Sequence, residues 1–387
     1  MKKSLVLILV VALALSLAAC GSSAQAPATS DTASAAPSSE AASGNSGTVE
    51  MFADGWGDAN TAFDPLAIED TWTFEEMRDN LGAIPTSDTE LLLAGNIRTY
   101  DNVYWQALAD GYQAMVDKIA GNGNKVSINI QSALNEADTE GQLSVMKDQI
   151  RLGVNAIMIS PISSSNCTEG VETAHENGIP CIAVNNEFNG ADMFVGPNSY
   201  DEGKVAADWA EANVGEGKCA IIMGLAGTDV VKNRTNGFKD ELKTLNSSIE
   251  VVDSQNADWD RAKAKDVCAT FLKTYDDLKI IFCNNDVMAL GAVEAIKETD
   301  LVLNKDIFVI GMDGTDEAYA SIKAGELAAT VGMFPYYEGM MAAEVATRVM
   351  LGQVTPKVVW TPAMVIDSTN IETDDAELIG WTDPTFK

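Results

Sequence analysis

Seven polar side chains fall just after short apolar runs, where a strand ends and a side chain is free to meet a ligand. They are Asn96, Asn102, Asn185, Asn186, Arg234, Asn285 and Asp313. Large aromatics accompany them: Tyr104 and Trp105 as neighbours, and Trp259 within Ala257-Asp258-Trp259-Asp260-Arg261. Planar amides, a guanidinium and a carboxylate offer paired donors and acceptors, while aromatic faces receive C–H surfaces. The set suits a neutral polyhydroxylated ring. Each residue also has a structural alternative. Asn and Asp after strands cap helices, and Asp286, ahead of Val287-Met288-Ala289-Leu290, is expected to do so. For Arg234 the alternative is a surface ion pair with Asp240 or Glu241. Tyr104 and Trp105 are alternatives for the core, although adjacent helical positions cannot both face one sheet squarely.

The elements that must position these residues alternate regularly. Short runs rich in Ile, Val and Leu at 91–95, 126–130, 156–160, 181–184, 220–224, 250–254, 279–283, 308–311 and 329–333 read as strands. Amphipathic stretches between them read as helices; in the helix expected over 103–120, Leu108, Tyr112, Met115 and Ile119 form one apolar stripe. Such alternation signals βαβ units and parallel sheets. A change near 194–198 divides the pattern into two doubly wound lobes, and ligands of open α/β sheets lie beyond the carboxyl ends of the strands.

Composition narrows the function. The 387 residues are 46% hydrophobic, enough for two cores. With 25 basic and 57 acidic residues the net charge is -32, which opposes nucleic acid and anionic membrane surfaces. One histidine, His175, leaves no multi-histidine metal centre and no general base of the commonest kind. No metal and no cofactor is expected. The third-class alternative, an extracellular enzyme, lacks its motifs: Gly95 is followed by Asn96, Ile97 and Arg98 rather than by a GxGxxG loop. Abundant acids read as a solvated surface rather than as a glycosidase pair.

At the N-terminus, Lys2 and Lys3 precede an apolar run and then Leu17-Ala18-Ala19-Cys20. This is the pattern of a bacterial lipoprotein signal over 1–19, with Cys20 as the lipidated residue. The mature chain would carry 23 basic against 57 acidic residues, a net of -34. Residues 20–48 are a Ser/Ala-rich tether and 49–87 an acidic, aromatic accessory segment, packed on the main body or open to a partner. Cys167, Cys181, Cys219, Cys268 and Cys283 read as small buried hydrophobes.

Several stretches carry a family resemblance: FCNNDVMALGA at 282–292, VIGMDGT at 309–315 with AAT at 328–330, GTDVVKNRTNGF at 227–238, and the Ala-Asp-Trp-Asp-Arg run. Over about 88–367 the chain resembles type I periplasmic solute-binding proteins, in the ribose and galactose branch of sugar ABC transporters. The resemblance implies an α/β fold of two doubly wound, Rossmann-like lobes with a multi-strand hinge. It places 88–195 with 335–363 in the N-terminal lobe and 196–334 with 364–387 in the C-terminal lobe and tail. It implies ligand contacts from Asn102, Tyr104, Trp105, Arg234, Trp259, Asn285 and Asp313. Where ribose-type members carry an acid followed by Arg, this chain has Asn185 and Asn186. Where they carry an amide after the AAT strand, it has Met333. The expectation is a less charged pocket for a sugar other than ribose, a polyol or a nucleoside. The resemblance implies a monomeric, lipid-anchored, extracytoplasmic receptor that delivers its ligand to an ABC permease, with a sensor for a kinase or chemoreceptor as the alternative.

Overall fold

The structure is a computed structural model that describes residue 52 and residues 55–387. The expected export signal, Cys20 and the tether lie outside the described residues. After a 3-10 turn at Pro65–Ala67 come β1 (Thr71–Thr73), α1 (Phe74–Leu81), β2 (Glu90–Ile97), α2 (Val103–Gly121), β3 (Lys125–Ser132), α3 (Thr139–Arg151), β4 (Ala156–Ile159), α4 (Thr168–Glu176), β5 (Cys181–Val184) and β6 (Met193–Gly196). The chain continues through α5 (Ser199–Asn213), β7 (Glu216–Met223), α6 (Asp229–Thr244), β8 (Ser248–Asn256), α7 (Arg261–Thr274), β9 (Leu278–Cys283), α8 (Asp286–Lys297), β10 (Phe308–Asp313), α9 (Asp316–Lys323) and β11 (Ala329–Gly332). It ends with α10 (Pro335–Met350), β12 (Val358–Trp360), β13 (Met364–Asp367) and α11 (Asp375–Leu378).

Two sheets result, one per lobe. The first runs β1-β12-β6-β5-β4-β2-β3, all pairs parallel. The second runs β13-β11-β10-β9-β7-β8, parallel except for the β11–β13 pair. The chain passes between sheets at 196–199, 332–335 and 360–364. Strand alternation sorts side chains onto the two faces of each sheet. In the first, Leu93 and Ile97 of β2 pack with α2 and α10, while Ala94 packs on the other face with Met146 of α3 and Val171 of α4. In the second, Ile222 and Ile281 face Phe271 and Met288, and Ile221 and Ile280 face Phe238.

Two glycines bring helix pairs close enough to build the cleft. A Cβ on Gly203 of α5 would stand 2.1 Å from the Arg234 carbonyl oxygen of α6. A Cβ on Gly339 of α10 would stand 2.1 Å from the Leu108 carbonyl oxygen of α2. Any larger residue would force these helices apart, so glycine permits a backbone contact at both crossings.

The described part of the accessory segment packs on the N-terminal lobe. Phe52, Phe74, Met77 and Ile84 share a buried cluster with α2 and α10. Trp56 stacks on His175 at 4.8 Å between ring centroids, and His175 Nε2 meets Asp192 Oδ2 at 2.9 Å. Of 364–387, the strand β13 joins the second sheet while later residues reach the first lobe. Ile379, Trp381 and Phe386 pack, partly buried, against the N-terminal lobe's cluster.

Candidate ligand-binding cleft

Between the lobes, Arg234 of α6 is buried, and each of its three guanidinium nitrogens has a partner. Its Nε donates to Glu202 Oε2 at 2.6 Å, Nη1 to the Asn284 carbonyl at 2.7 Å, and Nη2 to Met333 Sδ at 3.2 Å. The alternative pair with Asp240 or Glu241 is therefore replaced by one with Glu202, which the Gly203 contact holds beside it. Burial disfavours the guanidinium's charge, and the carboxylates of Glu202 and Asp313 outweigh that, keeping the arginine charged. Asp313 Oδ1 lies 3.8 Å from Arg234 Nη1, with its side chain 19% exposed. Burial pushes the Asp313 carboxyl well up despite Arg234; Asp286, Glu202 and Glu136 add to the shift.

On the opposite wall, the Tyr104 hydroxyl donates to Glu338 Oε2 at 2.7 Å and accepts from Asn185 Nδ2 at 2.8 Å. Asn185 also donates to Glu338 Oε1 at 3.2 Å. Glu338 stands in the first turn of α10, where the chain has just returned to this lobe, and burial pushes its carboxyl up to about 8. Asn186 Oδ1 accepts from Arg98, whose guanidinium carbon lies 4.8 Å from the Trp105 ring centroid. Trp105 Nε1 donates to Glu136 Oε1 at 2.9 Å, and Asn102 Nδ2 donates to the same oxygen at 2.6 Å. Tyr104 and Trp105 are both buried, edge to face at 4.9 Å.

Backbone strain gathers around this space. Asn185, Trp259, Asp313 and Phe334 all hold positive φ, at 69°, 64°, 120° and 53°. Non-glycine residues rarely adopt that region, and such strain clusters where function requires a fixed side chain. The Trp259 ring lies over Gly224, where a Cβ would be 2.2 Å from the indole.

Residues 96–353 match the periplasmic binding protein domain family. The chain belongs to it, as a type I periplasmic binding protein. This binding protein is 33% identical over 276 residues to the ribose import binding protein of Bacillus subtilis strain 168, across 70% of its own length and 86% of the relative's. It is 29% identical over 250 residues to the D-allose-binding periplasmic protein of Escherichia coli K12, across 62% and 78% of the two chains. A periplasmic solute-binding protein of Actinobacillus succinogenes 130z with bound D-allose superposes with a TM-score of 0.67 at 25% identity, covering 74% of this chain and all of that one.

Four residues of the binding protein stand differently from the sequence reading. Asn96 lies inside β2, which runs two residues past the expected strand end to Ile97, and its Nδ2 donates to the Gln142 carbonyl of α3 at 3.3 Å, in the core. Asn285, not Asp286, caps α8, accepting from the Met288 amide at 2.9 Å. Asp286 is instead a buried acceptor for Thr330 Oγ1 at 2.7 Å and the Thr315 amide at 2.9 Å, and burial pushes it up to about 6. Met333 does not present a bare thioether, since its sulfur already receives Arg234 Nη2.

The loss of charge expected at Asn185 and Asn186 is offset from elsewhere in the chain. A carboxyl returns through Glu338 and a guanidinium through Arg98, each bonded to one of those amides. Arg98 was legible as the first residue after β2. Glu338 and Glu136 had no signal, because a buried acid and a surface acid look alike in a sequence with 57 of them. The five cysteines downstream of Cys20 are free and buried, and burial alone pushes Cys167 and Cys268 up to about 12.

Proposed function

We propose that this binding protein captures a small neutral sugar-like solute, a sugar, polyol or nucleoside, between its lobes and presents the closed form to an ABC permease. Asn102, Tyr104, Trp105, Asn185 and Asn186 contribute from one lobe, and Arg234, Trp259, Asn285 and Asp313 from the other, with Met333 at the hinge. The observation that carries the reading is Asp313. Its carboxylate reaches the cleft at a strained strand end, and its nearest cation, 3.8 Å away, is already committed to Glu202, Asn284 and Met333. Ligand hydroxyls complete such an acceptor, and contacts from both lobes to one ligand are what closure requires. Relatives named for ribose and allose support the ligand class.

In the same reading, Cys20 carries the lipid, 20–48 spans from membrane to lobe, and the protein works as an extracytoplasmic monomer. A thermal-shift screen against sugars, polyols and nucleosides tests the ligand class, because a ligand bound only by the native state raises apparent stability by mass action. At least one sugar-like compound should raise Tm; a panel without effect would count against the reading.

A further inference from the structure

The accessory segment and the acidic tail both lie outside the matched residues 96–353, so the shared lobes do not account for either. They meet each other. The Ile84 amide donates to the Thr385 carbonyl at 2.8 Å, and the Lys387 amide donates back to the Ile84 carbonyl at 3.1 Å. The rings of Phe74 and Trp381 stack at 6.0 Å between centroids, and the Arg78 guanidinium carbon of α1 lies 4.5 Å from both centroids. The same guanidinium donates to the Thr382 carbonyl at 2.6 Å and to Glu344 of α10 at 2.6 Å. Lys118 of α2 pairs with Asp383 at 2.5 Å. One end of the tail is thus fixed to the N-terminal lobe by stacking, charge and backbone pairing together.

The other end is fixed to the C-terminal lobe. The tail leaves β13 of the second sheet, and Ile371 packs against that lobe's core. Glu372 pairs with Lys323 of α9 at 3.3 Å, and Asp375 accepts from the Tyr319 hydroxyl at 3.5 Å. Past α11, Trp381 lies 5.2 Å from Tyr337 of α10, between ring centroids. A short segment held at both ends constrains the lobes directly. Contacts made in this arrangement stabilise it over any in which the anchors separate.

We infer that residues 371–387, clamped by the accessory segment, tie the two lobes together and set the open–closed balance, with Trp381 as the positioning residue of the tie. The inference takes lobe closure from the proposed function. A tie that favours closure raises apparent ligand affinity by raising the competent fraction before the ligand arrives. Neither Trp381 nor any other tail residue belongs to the candidate contact set.

The test is the ligand-free distance distribution between spin labels on the two lobes, measured by electron–electron double resonance. Glu140→Cys on α3 and Ala262→Cys on α7 place the labels at exposed positions, and the native cysteines among the described residues are buried. The full chain is compared with Trp381→Ala, which loosens one anchor, and Ile371→Ser, which loosens the other. Both variants should shift the distribution to longer separations with unchanged far-ultraviolet circular dichroism. Distributions that match the parent in either variant would overturn the tie, since it must fail wherever it is cut. A shift accompanied by lost helix content would also overturn it, showing damage to a lobe rather than release. No ligand is needed, so a chain that shows both shifts yet binds no sugar refutes the proposed ligand and leaves the tie standing.

Discussion

Tyr104 and Glu338 come from helices on opposite sides of the chain's excursion through the second lobe, and their side-chain oxygens lie 2.7 Å apart at the hinge. The Gly339 crossing brings α10 against α2, so a packing requirement of the N-terminal lobe also delivers a carboxyl to the cleft wall. The carboxyl then holds Asn185, whose φ of 69° fixes the loop after β5. Helix packing, hinge topology and candidate site are one arrangement here.

Glu338 makes stability depend on pH with a definite sign. Its folded value of about 8 lies above the ordinary value of 4.5, so the folded state favours the protonated carboxyl. That contribution is fully present below about pH 4.5 and is lost as pH rises through 8. Glu338→Gln should flatten the dependence between pH 5 and 8, with a gain on the order of 1–3 kcal/mol at the upper end. Urea denaturation at several pH values checks it; parallel curves for parent and variant would contradict the assignment.

Trp259→Ala should weaken ligand binding by about 1–3 kcal/mol through lost apolar contact and stacking. Ligand addition to the parent should also change tryptophan fluorescence. Unchanged affinity would place this ring outside the site, leaving its cover over Gly224 as its whole role.

Arg98→Met removes the guanidinium that lies over Trp105 and, with it, the donor to Asn186. Loss of the charged hydrogen-bond donor beside Asn186 should cost about 1.5–3 kcal/mol of affinity. Calorimetric titration reads this directly, and parent-like affinity would confine Arg98 to holding Asn186.

The residues that moved between sequence and structure show what limits such a reading. Chain order, alternating strands and the two-lobe class follow from periodicity, which survives without any tertiary knowledge. Asn96 falls inside the strand because β2 continues two residues past its apolar run, and a strand's end depends on its neighbours' hydrogen bonds rather than on its own composition. The short strands β6, β12 and β13 were missed for the same reason, since partners in the sheet make them strands. Glu202 and Glu338 are buried where the glycines that follow them, Gly203 and Gly339, let helices touch, a contact that depends on a partner helix distant in sequence.

Ribose should not be the best ligand. The guanidinium comes from the loop after β2 rather than from position 186, and a site built around one hydroxyl pattern rejects another. Competition among ribose, galactose, xylose, a 6-deoxy hexose, inositol and adenosine would show it; submicromolar ribose binding, tighter than all the others, would contradict it.

Calorimetric titration of that panel into the parent and into Asp313→Ala, with circular dichroism confirming both folds, tests the central claim most directly. The account predicts saturable heat from at least one sugar-like compound in the parent, with affinity reduced at least tenfold, about 1.4 kcal/mol, in Asp313→Ala. Equal affinity in the two folded proteins, or no heat from any member of the panel in the parent, would contradict it.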